Sequence, residues 1–154
     1  MTLGKCGSQV TGKARTDLPL QITATVPDEP LSANDPYPQI EMTVTNTSSS
    51  EFTIRTYRSG AYLTIVKDGI VVRPSAGKRD VAVRFTLEAG AMRTYPSNLN
   101  MLRCDPADSS IPGQALEPGR YQLYVVQPFS IEGKGGQDES RFDVQGGPWD
   151  IRIV

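Results

Sequence analysis

Apolar and polar residues alternate along most of the chain with a period of two, the spacing of a strand that buries one face and wets the other. In "LPLQITATV", Leu18, Leu20, Ile22, Ala24 and Val26 share a face, and in "QIEMTVTN" Ile40, Met42 and Val44 point one way while Glu41, Thr43 and Thr45 point the other. "EFTIRTY" sets Phe52, Ile54 and Thr56 opposite Arg55 and Tyr57. "AYLTIVKDGIVVR" predicts a hairpin, because Asp68-Gly69 supplies the positive φ angles of a two-residue primed turn between apolar arms.

The alternation continues in "VAVRFTLEAG", with Val81, Val83, Phe85 and Leu87 on one face, and "AMRTYP" predicts a short strand after it. Residues 96–115 show no period. Tyr121, Leu123 and Val125 then share a face, "IEGKGGQDES" has the composition of a hairpin tip, and Trp149, Ile151 and Ile153 alternate near the C-terminus. No segment of useful length has a helical period, and neither an internal repeat nor an interdomain linker appears. Eight or nine short antiparallel strands separated by turn signals predict an all-β, two-sheet sandwich of Greek-key type. The expectation is one domain over residues 1–154, with an N-terminal arm of about residues 1–16.

"LEPGRYQLYVV" is the most sharply patterned stretch. Leu116 would plug the edge of the core, Pro118 would preset a turn, and Gly119 would take a backbone angle other residues avoid. Tyr121, opening its strand, would hydrogen-bond backbone a few residues upstream and fix the corner where the chain crosses between sheets. These residues are therefore assigned to the fold and removed from the search for a site.

The order "VTNTSSSEFTIRTY", "YLTIVKDGIVV", "FTLEAGAMRTYP" and "LEPGRYQLYVV" resembles bacterial immunoglobulin-like envelope domains, including those of secreted or lipid-anchored proteins. It is also similar to the family of bacterial intracellular proteinase inhibitors. The resemblance covers roughly residues 38–126 and implies an immunoglobulin-like sandwich. The paired cysteines and central tryptophan of antibody domains are not in this pattern.

Composition excludes more than it identifies. The chain of 154 residues contains no histidine, so neither a Ser-His-Asp nor a Cys-His nucleophile nor a His-containing zinc site can be assembled. Two cysteines are too few for an all-thiolate zinc, and Cys6 and Cys104 are expected to pair as a disulfide, which favours an extracytoplasmic home. Asp105 and Asp108 in "CDPADSS" are oxygen donors of a kind that suits calcium, but two carboxylates define no site and turn formation explains them. No catalytic residue, metal or cofactor is expected.

The formal net charge of −1 gives no reason to expect nucleic-acid binding, and no apolar run has the length of a membrane span. No secretory leader is visible in "MTLGKCGSQV", and Lys5 occupies the place where a lipoprotein box has a small residue. Charge is distributed unevenly: residues 51–93 hold eight Lys and Arg against four Asp and Glu, and the flanks hold eight against thirteen. Within the basic region Arg55, Tyr57, Arg58 and Tyr62 lie close in sequence, and Arg and Tyr are side chains that often anchor interfaces. Lys78 and Arg79 in "PSAGKRD" would be offered by a loop. "NTS" at Asn46 fits a glycosylation acceptor only in a eukaryotic secretory setting.

These features give the expectation of a non-catalytic module of an exported bacterial cell-envelope protein, secreted or envelope-attached, binding an unknown protein or an anionic envelope component. The alternative is a proteinase inhibitor presenting the Lys78-Arg79 loop. A panel of trypsin-like proteases separates them: inhibition by micromolar protein is what the second reading requires, and its absence would count against it.

Overall fold

The structure is a computed structural model that describes residues 1–58, 60–76, 80–107, 113–133 and 138–154, with backbone alone for residues 138 and 139. The described residues form nine strands and no helix. These are β1 (Leu20–Thr25), β2 (Gln39–Asn46), β3 (Phe52–Tyr57), β4 (Tyr62–Lys67), β5 (Ile70–Arg73), β6 (Ala82–Leu87), β7 (Met92–Asn98), β8 (Gly119–Glu132) and β9 (Asp138–Ile153). With no helix present, none of the described residues offers a helix long and apolar enough to cross a membrane.

All named pairings are antiparallel, in two sheets. The smaller has the order β1-β2-β7, and the larger runs β5-β4-β8-β3-β6 with β9 on the other side of β8. At 14 residues β8 is long enough to pair with two strands in succession along one edge, β4 against Gln122–Val126 and β3 against Ser130–Ile131. The chain thus forms an all-β sandwich. Its core takes Leu20, Ile22, Ile40, Met42 and Val44 from the smaller sheet and Ile54, Leu63, Ile65, Leu123 and Val125 from the larger. These are positions of one parity in each strand, as the period-two pattern requires.

The Asp68-Gly69 turn has φ of 52° and 80°, and it connects β4 to β5 as the sequence predicts. Two other segments differ from expectation. Val81, placed on the inward face by its alternation, precedes β6 and is 59% exposed. Its carbonyl accepts from the Arg58 N–H, so it continues the ladder but lies past the rim that the opposite sheet covers. Residues 96–115, which show no period, contain two fully buried core side chains, Leu99 and Met101. Backbone bonds from Leu99 to Pro38 and from Leu116 to Met101 hold them in place, in a segment anchored by position rather than by repeat.

Asn46 is fully buried at the end of β2. Its Nδ2 donates to the carbonyls of Ser50 (2.8 Å) and Leu87 (3.1 Å), while its Oδ1 accepts from Ser48 N and Oγ. One side chain therefore closes the turn after β2 and ties it to the end of β6 across the sandwich. The same burial removes Asn46 as a glycosylation acceptor.

The N-terminal arm is attached to the sheet. Gly7 N donates to Val71 O, Val71 N to Ser8 O and Val10 N to Gly69 O, so the arm pairs along the outer edge of β5. Met1, Leu3 and Val10 pack on Val66, Val71 and Tyr124, which belong to the face of the larger sheet turned away from the main core. Cys6 and Cys104 are bonded with 6.0 Å between Cα atoms, and Cys104 N also donates to Val72 O. At the start of β8, the Tyr121 hydroxyl donates to the Glu117 carbonyl at 2.6 Å. Lys67 Nζ lies 4.8 Å from the centre of its ring. Leu116 is buried beside it, and Gly119 at φ 154° places backbone where a Cβ would come 3.2 Å from Lys67 Nζ.

The bridge closes a loop with a sequence separation of 98, for which chain entropy gives about 4–5 kcal/mol and typical measurements about 2–5. Denaturant unfolding with and without reductant is expected to show a loss in that range. Tyr121→Phe should cost about 1 kcal/mol, the net contribution of one hydrogen bond; an unchanged midpoint would remove that role.

Candidate functional site

Strand register brings four residues into a row. Arg55 lies directly opposite Arg84 on β6 and opposite Ser130 on β8, and Ser130 lies opposite Arg141 on β9. Because side chains alternate across a sheet, all four project on one face, the one facing away from Ile54, Phe129 and Val144 in the core. Neighbouring strands are about 4.8 Å apart, so Arg84 and Arg55 are adjacent while Arg141 stands about 10 Å from Arg55 across the serine. Like charges directly opposite are destabilising in a sheet, and this face holds such a pair.

Glu132 offsets that repulsion. It follows Ser130 by two residues, on the same face, with its side chain 4% exposed against 44% for Arg55 and 61% for Arg84. Arg84 Nη2 donates to its Oε2 at 2.6 Å. Oε1 is 3.0 Å from Arg55 Nε, yet it makes no directional hydrogen bond. The two observations agree if the Arg55 contact is an ion pair of poor angle: Coulomb attraction tolerates the misalignment and a hydrogen bond does not. Asp143, two positions from Arg141 on β9, is a further acid of this face.

Beside this row lies a cleft of about 480 Å³ bordered by Arg55, Tyr57, Ser130, Arg141 and Asp143. Tyr57 also borders a second groove of about 340 Å³, on the other side of β3 where the two sheets part, with Arg58, Val83, Phe85, Arg93 and Tyr95. Arg93 stacks its guanidinium 4.4 Å from the centre of the Phe85 ring. The floor of this groove is a buried polar chain. Tyr95 donates to Gln127 Oε1, Gln127 Nε2 donates to Thr56 Oγ1 at 3.0 Å, and Thr56 Oγ1 donates to the Pro128 carbonyl at 2.8 Å. Burial pushes the Tyr95 phenol up, and the Gln127 bond offsets a part.

Of the residues singled out in sequence, Arg55 and Tyr57 come together at the first cleft and Arg58 joins Tyr57 at the second. Tyr62 stands apart, opposite Val126 at the start of β4, and borders neither groove. Lys78, Arg79 and Asp108 lie outside the described residues. Asp105 accepts from the Ala107 N–H at 2.8 Å, which is turn formation. Among the described residues no group of three or more His, Cys, Asp or Glu is placed to hold a metal. Arg84, Ser130, Glu132 and Arg141 were not singled out, because they come from three strands whose adjacency is tertiary. Their available signal was parity: Arg84 in "VAVRFTLEAG" and Arg141 in "SRFDV" both occupy polar positions of alternating runs.

Glu132→Gln should destabilise by about 1–3 kcal/mol, since it removes the buried charge that both facing guanidiniums approach. The loss should shrink in high salt, where their repulsion is screened. Denaturant unfolding at low and high ionic strength checks both; a salt-independent loss would mean that packing rather than charge is responsible.

No family model and no curated protein matches the chain. Among solved structures it is similar over 87% of its length to a β-glucosidase from Listeria innocua in complex with gluconolactone, at 17% identity and a TM-score of 0.40. It is similar over 88% of its length to a β-glucosidase from Erythrobacter marinus, at 15% identity and a TM-score of 0.37. The chain spans 16% of the length of each of these proteins. Likeness at this level carries no argument about fold or chemistry.

Proposed function

We propose that the chain is a non-catalytic, immunoglobulin-like module of an exported bacterial cell-envelope protein, and that it binds a protein or an anionic envelope component through the outer face of β6, β3, β8 and β9. The observation that carries this reading is the row Arg84, Arg55, Ser130 and Arg141 beside the Tyr57 cleft. Facing arginines repel each other and need Glu132 to offset them, and a rigid face that carries this cost presents the cationic groups a binding role would use. Guanidiniums present planar, multi-donor surfaces to carboxylates and phosphates, and an adjacent tyrosine adds contact area at low entropic cost. The Cys6–Cys104 bridge supports an oxidising compartment.

The Arg55→Gln/Arg141→Gln double variant keeps the side-chain length and removes two charges. Co-sedimentation with purified Gram-positive sacculi, in rising salt, should show salt-sensitive retention of the natural protein and at least about tenfold weaker retention of the variant. Equal retention of the two proteins, or retention insensitive to salt, would overturn the assignment of this face.

A further inference from the structure

A sheet edge is a row of unpaired backbone groups that another strand can join, and natural proteins cover or break such edges. Among the described residues this protein does so at several of its edges. The edge of β5 is occupied by the arm, through the bonds of Gly7 and Val10. The end of β9 is covered by Leu31 and Ala33, which exchange backbone bonds with Arg152 and Val154. In β7 the protection is chemical. Asn46 N donates to Ala91 O and Leu99 N to Pro38 O, so with this register the odd-numbered residues face β2 and residues 92, 94, 96 and 98 face outward. Pro96 therefore has its nitrogen on the open side, where it presents no N–H.

Among the described residues β6 has none of these devices, and neither does β1, which pairs with β2 alone. Arg58 N donates to Val81 O, so Val83, Phe85 and Leu87 direct their backbone groups at β3, while Ala82, Arg84 and Thr86 direct theirs away from it. Among the described residues β6 pairs with β3 alone. What surrounds this edge also discriminates among occupants. On the outer face stands Arg84, 61% exposed, with Nη2 committed to Glu132. On the inner side, directly below the edge, opens the 340 Å³ groove with Val83 and Phe85 on one wall and the cations of Arg58 and Arg93 at its margin.

From this we infer that β6 is a strand-addition site for an extended polypeptide segment in which acidic residues alternate with apolar ones. A strand joined to β6 would present residues of one parity beside Arg84 and residues of the other over Val83 and Phe85. Main-chain bonds from Ala82, Arg84 and Thr86 would supply affinity, and the two faces specificity. A second copy of β6 is disfavoured as the occupant, because a two-fold pairing would set Arg84 near its own counterpart. The first half of β9 favours an acidic strand less, since residues 138–143 carry three acids and one arginine.

The inference deepens the binding reading proposed above by naming the edge and the class of partner. It is tested with a blocked nine-residue peptide of alternating glutamate and valine, followed by amide exchange in nitrogen-labelled full-length protein. The expected result is at least about tenfold slower exchange at Ala82, Arg84 and Thr86, with no such slowing for the peptide of alternating lysine and valine. The glutamate peptide N-methylated at alternate amides should not bind, a control that leaves the protein untouched. Ala82→Pro, which gives β6 the device that Pro96 gives β7, should abolish the slowing. Unchanged exchange in β6, slowing confined to residues 138–144, equal effects of the lysine peptide, or full binding by the methylated peptide would each overturn strand addition. The Arg55→Gln/Arg141→Gln variant distinguishes the two proposals, since it alters the face and leaves the edge intact: slowed β6 exchange in that variant supports the edge whatever sacculi show.

Discussion

The backbone hydrogen bonds of β8 join pieces that would otherwise be separate strand pairs. Its first half pairs with β4, which carries β5 and the arm, and its second half pairs with β3, which carries β6. β9 runs along the whole of the opposite edge. The two sub-sheets therefore have a fixed relation only because one strand of 14 residues is continuous through both. The row of arginines inherits its geometry from this arrangement: Ser130 is the point at which β3 and β9 meet across β8, and Arg55 and Arg141 are placed by their pairing with it.

Polar groups are distributed according to the same logic. Where the sandwich is closed, at the end of β2, a single buried amide satisfies all its partners locally and the chain turns around Asn46. Where it opens, between β6 and β7, Tyr95, Gln127 and Thr56 form a connected chain that lets polar atoms be buried beneath a groove without being orphaned. A buried oxygen without a hydrogen bond occurs instead under the arginine row, at Glu132 Oε1. That carboxylate is poorly bonded by one arginine and well bonded by the other.

Much of the fold was legible because it rests on short-range rules. Alternation identified the inward faces of β1 to β3, and Asp68-Gly69 identified its own hairpin, since a two-residue turn needs positive φ that few pairs supply. Leu99 and Met101 were not legible, because a side chain can be buried by a loop passing over a core without any periodic signature. Val81 misled for the converse reason: its parity was right, but an edge strand outruns the sheet that would cover it. The candidate face was half legible. Arg55 and Tyr57 announced themselves as outward residues of one strand, whereas Arg84, Ser130, Glu132 and Arg141 acquire meaning only from register between strands up to 86 residues apart.

The arm and its bridge have a consequence for how the protein behaves among other proteins. Cys6 holds residues 7–10 against β5, and those residues are what keeps the β5 edge closed. Once the bond is reduced, the arm competes for that edge as a tethered strand instead of a fixed one, and each excursion uncovers a ladder of unsatisfied amides. A thiol reductant thus changes the molecule's valency as well as its stability, by adding the β5 edge to those already open.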